Sequence, residues 1–174
     1  MPQTIETARL RLRPPQLSDV PVLFEFLGDP AAMRFTQCDA TLGQCRRRIA
    51  VHERRRRSDG WAPWAVVTKS DGRLVGWGGL YDDPFDPGWG TEVGYFFHPS
   101  AWGQGYATEL VGACLALADG VLRLPELIAF AKPENAASRR VLNKSGFRVD
   151  RFVSEMGRLL YRRRRPTPGD PAPA

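Results

Sequence analysis

Thr91–Leu117 reads TEVGYFFHPSAWGQGYATELVGACLAL, and its change of texture decides the fold. Thr91 to Phe97 has the β-branched and aromatic composition of a strand. Pro99-Ser100-Ala101 leads into a turn in which Gly103, Gly105 and Ala107 carry almost no side-chain bulk. Leu110, Cys114 and Leu117, with Ala107, Val111 and Ala118 beside them, then recur at the spacing of a helix with one buried face. A helix N-terminus entered this way presents backbone N–H groups without intrahelical partners at the positive end of the helix dipole. With no side chains in the way, the backbone can close around an anionic group such as a pyrophosphate.

The chain on either side can be placed around this strand–turn–helix unit. Residues 8–13 (ARLRLR) alternate as a half-buried strand and stop at Pro14-Pro15. Ser18 is the expected N-cap of a helix carrying Val20, Leu23, Phe24 and Leu27, which Gly28 and Pro30 end. Thr41 and Gln44 form a capping-box pattern for a second helix. Its Leu42, Cys45, Ile49 and His52 share one face, while Arg46–Arg48 and Arg54–Arg57 make the other cationic. Trp64–Thr68 and Arg73–Leu80 read as a hairpin across Ser70-Asp71-Gly72. Gly76, Gly78 and Gly79 inside a strand mark a bulge or a close approach by another element. A loop, DDPFDPGWG, spans 82–90, and Leu127–Ala131 is a further strand. Asn135 caps a predicted helix over 136–145 with Gly146 beyond its end. Residues 147–152 and 157–161 read as a last hairpin. The order predicts an α/β (α+β) fold with helices on the faces of a mixed sheet. The domain is expected at 7–161, with 162–174 (RRRRPTPGDPAPA) as a disordered basic, Pro-rich tail.

A length of 174 residues suits one domain. The net charge of +6 rests almost wholly on arginine, since Lys69, Lys132 and Lys144 are the only lysines among 25 cationic residues. That skew fits either the codon bias of a GC-rich genome or attraction to polyanions and anionic cofactors. Cys38, Cys45 and Cys114 lack the spacing of a zinc site or a disulfide framework, which fits a reducing compartment. No window is apolar enough for a signal or membrane segment, so a cytoplasmic protein is expected.

Three stretches in this order, TARLRLRPPQLSD, EVGYFFHPSAWGQGYATE and NAASRRVLNKSGF, resemble the GNAT superfamily of N-acetyltransferases. More narrowly they resemble its branch of ribosomal-protein N-terminal (alanine/serine) acetyltransferases. The resemblance implies a central mixed sheet of six to seven strands with about four helices on its faces, and acetyl-CoA as acyl donor without a metal. By the same likeness, Gly103, Gln104, Gly105, Tyr106, Ala107 and Thr108 would hold the pyrophosphate through backbone N–H groups. The strand at 93–97 would splay from 127–131 to admit the pantetheine arm, and an N–H near Phe96 or Phe97 would polarise the thioester carbonyl. Asn135 would bond that arm, and Ser138 would lie near the sulfur. The acceptor would be a primary amine, either a protein N-terminal α-amine or a small molecule. The family also allows a homodimer. Neither a membrane nor nucleic acid is an expected partner. Two departures stand out. Trp102 occupies a position where many members carry Gln or Arg, and Leu142 replaces a common tyrosine acid.

The chemistry names further candidates. An amine is mostly ammonium near neutral pH and must lose a proton before it attacks a thioester. Glu92, on the central strand with Gly94 and Phe96 on its face, is the candidate base, and His98 is the second. Ser138 is the candidate proton donor to the departing thiolate. The rival reading is a basic ribosome- or RNA-associated binding protein with a vestigial or sensory CoA pocket, motivated by Arg46–Arg48, Arg54–Arg57 and Arg162–Arg165. Against it, no aromatic residues interleave those runs as a stacking surface requires.

Overall fold

The structure, a computed structural model, describes residues 4–167. Its centre is an eight-stranded sheet, β1 (Ile5–Glu6), β2 (Leu10–Arg13), β3 (Trp64–Thr68), β4 (Leu74–Asp82), β5 (Thr91–Phe97), β6 (Glu126–Ala131), β7 (Arg148–Val153) and β8 (Arg158–Arg164), in the order β1-β2-β3-β4-β5-β6-β8-β7. Four α-helices accompany it: α1 (Val20–Leu27), α2 (Leu42–Asp59), α3 (Tyr106–Ala116) and α4 (Ala136–Lys144). The two-residue β1, too short to leave a periodic signal, takes the sheet beyond the six to seven strands expected. Every pairing is antiparallel except β5 with β6. That parallel pair registers at one point, Glu92 opposite Ile128, and the strands separate beyond it.

Alternation along β5 divides the core. Val93 and Phe97 join Leu10, Leu110, Val111 and Leu142 in the larger apolar cluster beneath α3 and α4. Phe96, paired across strands with Trp77, meets the cluster built from Val20, Leu23, Phe26, Cys45 and Ile49 of α1 and α2. The glycines of β4 answer to close approach, as expected. A Cβ at Gly78 would stand 2.6 Å from the Gly94 carbonyl oxygen, backbone against backbone, where nothing can yield. A bulge between Val66 and Val67 accompanies them in the β3–β4 pairing.

The helix caps follow the sequence with one exception. The Thr41 hydroxyl accepts from the Gln44 N–H at 3.2 Å, while Gln44 reaches back to the Ala40 N–H at 2.7 Å. Asn135 Oδ1 accepts from the Ser138 N–H at 3.2 Å, and Gly146 sits at φ +82°. Ser18 is not an N-cap. A 3₁₀ turn over Leu17–Asp19 precedes α1, and the Asp19 carboxylate closes it by accepting from the Gln16 N–H at 2.7 Å. Arg13 holds that carboxylate in place at 2.6 Å. The tail expected over 162–174 does not include the first three of those residues. Arg162, Arg163 and Arg164 pair with β6 as part of β8. Carboxylates flank them there, with Glu126 and Asp150 on Arg162 and Asp119 on Arg163. Residues 168–174 lie outside the described residues.

Candidate active site

The splay between β5 and β6 opens a cavity of about 560 Å³ that runs from the glycine turn to Glu92 and on under α2. At one end, Gly103 and Gly105 take left-handed backbone angles, φ +73° and +79°, with Gly105 at the N-cap of α3. Gly105 has no side chain with which to cap the helix, and the first intrahelical bond comes only at the Glu109 N–H. The preceding N–H groups, from Tyr106 to Thr108, line the cavity mouth at the positive end of the helix. Gly103, Gly105, Tyr106, Ala107 and Thr108 all line it, but Gln104 does not. Its side chain folds back onto the Ser100 carbonyl at 3.0 Å.

The N-terminal strand is tied to this turn. Glu109 accepts from the Thr7 hydroxyl at 2.6 Å and from the Arg9 backbone N–H and Nε, each at 2.7 Å. Burial raises its pKa, but those hydrogen bonds outweigh it and hold the carboxyl below its ordinary value. Arg9 in turn donates to the Gln104 carbonyl at 2.8 Å and stacks over Tyr106 at 4.8 Å. The arm thereby ties β2 to the backbone of the glycine turn. Arg9→Ala is expected to weaken coenzyme A binding roughly fivefold, equivalent to about 1 kcal/mol, with kcat unchanged, as titration of the cofactor would check.

Midway along the splay, hydroxyls meet on the α4 side. The Tyr95 hydroxyl lies 2.9 Å from Ser138 Oγ, and burial pushes the Tyr95 phenol up to about 12. The His98 N–H donates to the Val75 carbonyl of β4. Alternation therefore turns the Phe96 N–H toward β4, and those of Tyr95 and Phe97 toward the gap. Of the two expected donors, Phe97 is the one aligned with the cavity. The Trp102 indole N–H donates to the Phe97 carbonyl at 2.9 Å, fixing the strand end against the glycine turn. Asn135, which lines the cavity, spends its carbonyl oxygen on the cap of α4 and keeps its amide N–H groups as donors.

On the opposite face, Glu92 stands beside its cross-strand neighbour Tyr81, whose hydroxyl donates to Glu92 Oε1 at 2.9 Å. Burial pushes the Glu92 pKa up to about 7, and the charges of Asp83 and Asp86 add to the rise. Tyr81 and Arg158 oppose it. Gly94 has to be small because a Cβ there would run into the Tyr81 hydroxyl. Aromatic walls complete this lobe. Trp77 and Phe96 stack at 5.9 Å, and His52 packs edge-on to Trp77 and Tyr81 at 5.1 and 5.2 Å. Burial pushes the His52 imidazole down to about 4, so it is neutral at physiological pH.

His98 does not join this site. Its Nδ1 accepts from the Ser100 N–H at 3.1 Å and lies 2.7 Å from the Ser100 hydroxyl, capping the turn after β5. The acidic loop does join it through Asp83 and Asp86, which line the cavity while accepting from the Phe85 N–H and the Trp89 indole. The arginine runs are partly spoken for. Arg48 pairs with Asp39, Arg56 with Glu53, and Arg162 and Arg163 with the carboxylates already named. That pairing thins the cationic surface on which an RNA-binding reading depends.

The site thus joins a splayed sheet, a glycine turn at a helix N-terminus and a half-buried carboxylate at the splay. The chain belongs to the GNAT acetyltransferase family, since the family profile described as Acetyltransferase (GNAT) domain matches residues 9–148. It is similar to the uncharacterized N-acetyltransferase p20 of Bacillus licheniformis, at 25% identity over 91% of this chain and 92% of that protein. In fold it is similar to an acetyltransferase of Agrobacterium tumefaciens, at TM-score 0.78 and 24% identity over 93% and 94% of the two chains. RimL, a ribosomal L7/L12 α-N-protein acetyltransferase solved in complex with coenzyme A, also shares the fold at TM-score 0.75, with 16% identity over 93% and 98%.

Proposed function

We propose that this acetyltransferase moves an acetyl group from acetyl-CoA to a primary amine by direct attack within a ternary complex. One observation carries the reading. Glu92, its pKa pushed up to about 7, lines the same cavity as the glycine turn and a cluster of aromatic side chains. The residues present fit the donor. The bare backbone of Gly103 to Thr108 accommodates a pyrophosphate, the splay accommodates an extended arm, and the Asn135 amide can bond that arm. Bound there, acetyl-CoA supplies an activated thioester.

The chain's own groups then divide the work. Glu92 takes a proton from the ammonium, directly or through one water, and releases the lone pair. The Phe97 N–H, aimed into the gap, stabilises the oxyanion formed by attack on the thioester carbon. As the intermediate collapses, the C–S bond breaks and the second N–H proton balances the departing thiolate. A phenol near 12 and an aliphatic hydroxyl are weaker acids than a thiol. The Ser138–Tyr95 pair therefore acts on the thiolate by donating a hydrogen bond, which refines the role expected of Ser138 alone. Glu92 returns its proton to solvent, so one proton is released per turnover.

Free-thiol release from acetyl-CoA, measured across N-terminal peptides, amino acids, polyamines and aminoglycosides, tests this reading. Turnover with an amine is expected, and failure to bind acetyl-CoA at all would overturn it.

A further inference from the structure

Arg158 is the unusual cation of the acceptor lobe. It opens β8 at the turn end of the last hairpin, opposite Val153, and its half-buried side chain lines the cavity. Its guanidinium reaches across to the segment between α1 and α2, where it donates to the Thr36 hydroxyl at 3.3 Å. Among the described residues Arg158 forms no ion pair. Three other half-buried arginines do, Arg13 on Asp19 at 2.6 Å, Arg48 on Asp39 at 2.7 Å and Arg163 on Asp119 at 2.7 Å, while Arg139 makes two hydrogen bonds, to the Tyr161 hydroxyl and the Pro133 carbonyl. A guanidinium offers five N–H donors in a fork that matches a carboxylate, and one long bond to a neutral hydroxyl leaves most of them idle.

Neutralising Glu92 does not account for this arrangement. The Arg158 charge reaches Glu92, yet the carboxylate bonds the Tyr81 hydroxyl and keeps a raised pKa. The other cations on the lobe are engaged, Arg48 by Asp39 and Arg34 by the ring of Phe35 at 4.6 Å. The lobe is therefore dipolar. Glu92, Asp83 and Asp86 give it negative charge and Arg158 positive charge, and Trp77, Phe85 and Trp89 line the same cavity.

We infer that the acceptor carries a carboxylate as well as its amine, and that Arg158 is the residue that binds it. This rests on the reading of Glu92 as base, because the amine must face Glu92 for the carboxylate to meet Arg158. An amino acid, through its α-carboxylate, and a peptide with an acidic residue next to its N-terminus both present this pair of groups. Polyamines and aminoglycosides do not, and would bring further cations beside Arg158.

The test compares L-phenylalanine with phenylalaninamide, and tetrapeptides with Asp or Asn at the second position. Binding to the CoA-loaded protein is followed by tryptophan fluorescence, since Trp77 and Trp89 border the lobe, and turnover is followed by thiol release. The carboxylate member of at least one pair should bind about tenfold to a hundredfold more tightly, the range of hydrogen bonds to a charged group. Arg158→Gln should erase that preference through KM with little change in kcat, and Arg158→Lys should restore part of it. The pair that shows the effect identifies the source of the carboxylate. Equal binding within both pairs, a preference that survives Arg158→Gln, or no saturable binding of any carboxylate member would overturn the inference. Turnover of the neutral members that still depends on Glu92 would leave the base intact while this inference failed.

Discussion

Glu92→Gln should lower kcat by about 10²–10³-fold, the usual contribution of a positioned general base. The substitution keeps the shape, and the amide oxygen can still accept the bond from Tyr81, so the loss isolates the proton-accepting role. In the wild type, kcat/KM should rise with pH and level off above about pH 7, where the carboxyl of the free enzyme ionises. The variant's residual rate should lack that limb. Stability should move the other way. The Glu92 pKa is about 7 in the folded protein against an ordinary 4.5, so the folded state holds a proton that the unfolded state has already released. Stability therefore falls as pH rises from the unfolded value through about 7. The Gln variant escapes that loss and should be the more stable protein at pH 8, by up to about 3 kcal/mol. Denaturant titrations at pH 5 and pH 8, run beside the rate profile, check both halves. A variant with near-wild-type kcat would remove Glu92 from the mechanism, and one no more stable at pH 8 than wild type would refute its raised pKa.

How far such a site can be read from sequence depends on the distance over which its parts interact. Glu92 was legible because strand alternation is local, as were Asn135 and Gly146, whose capping works within one turn of the helix. The glycine turn was legible for the same reason, since Gly103 and Gly105 act through their own backbone. The Tyr95–Ser138 pair was not. It joins residues 43 apart and exists only because the fold brings the first turn of α4 beside Tyr95 of β5. The available signal was that Tyr95 alternates to the face opposite Glu92, toward the helix that starts beside Ser138. Arg158 and Thr36 are 122 residues apart, and no periodicity could have linked them. Ser18 shows that even a local signal can lose. It has the right chemistry for a cap, but Asp19 is held by the Arg13 charge as well as by the Gln16 N–H, and a charge-assisted contact outweighs a neutral one. The arginines from 162 onward looked like a tail because their carboxylates, Asp119, Glu126 and Asp150, come from elsewhere in the fold.

Gly103→Val should weaken coenzyme A binding by about 10²-fold, through two effects that a control can separate. The first is backbone strain, because a β-branched residue at φ +73° costs about 1–2 kcal/mol. The second is space. A Cβ at Gly103 meets no protein atom within 4 Å, so the region it would enter is open cavity mouth, the place proposed for the pyrophosphate. Gly72, in the β3–β4 turn, supplies the control, with φ +69° and again nothing within 4 Å, but away from the cavity. Gly72→Val should therefore lose about the same stability as Gly103→Val and keep its affinity. Calorimetric titration with coenzyme A, paired with denaturant unfolding of both variants, separates the effects. If strain alone explained the glycines, the two substitutions would behave alike. If Gly103 leaves room for a bound anion, stability should fall in both variants and affinity in one.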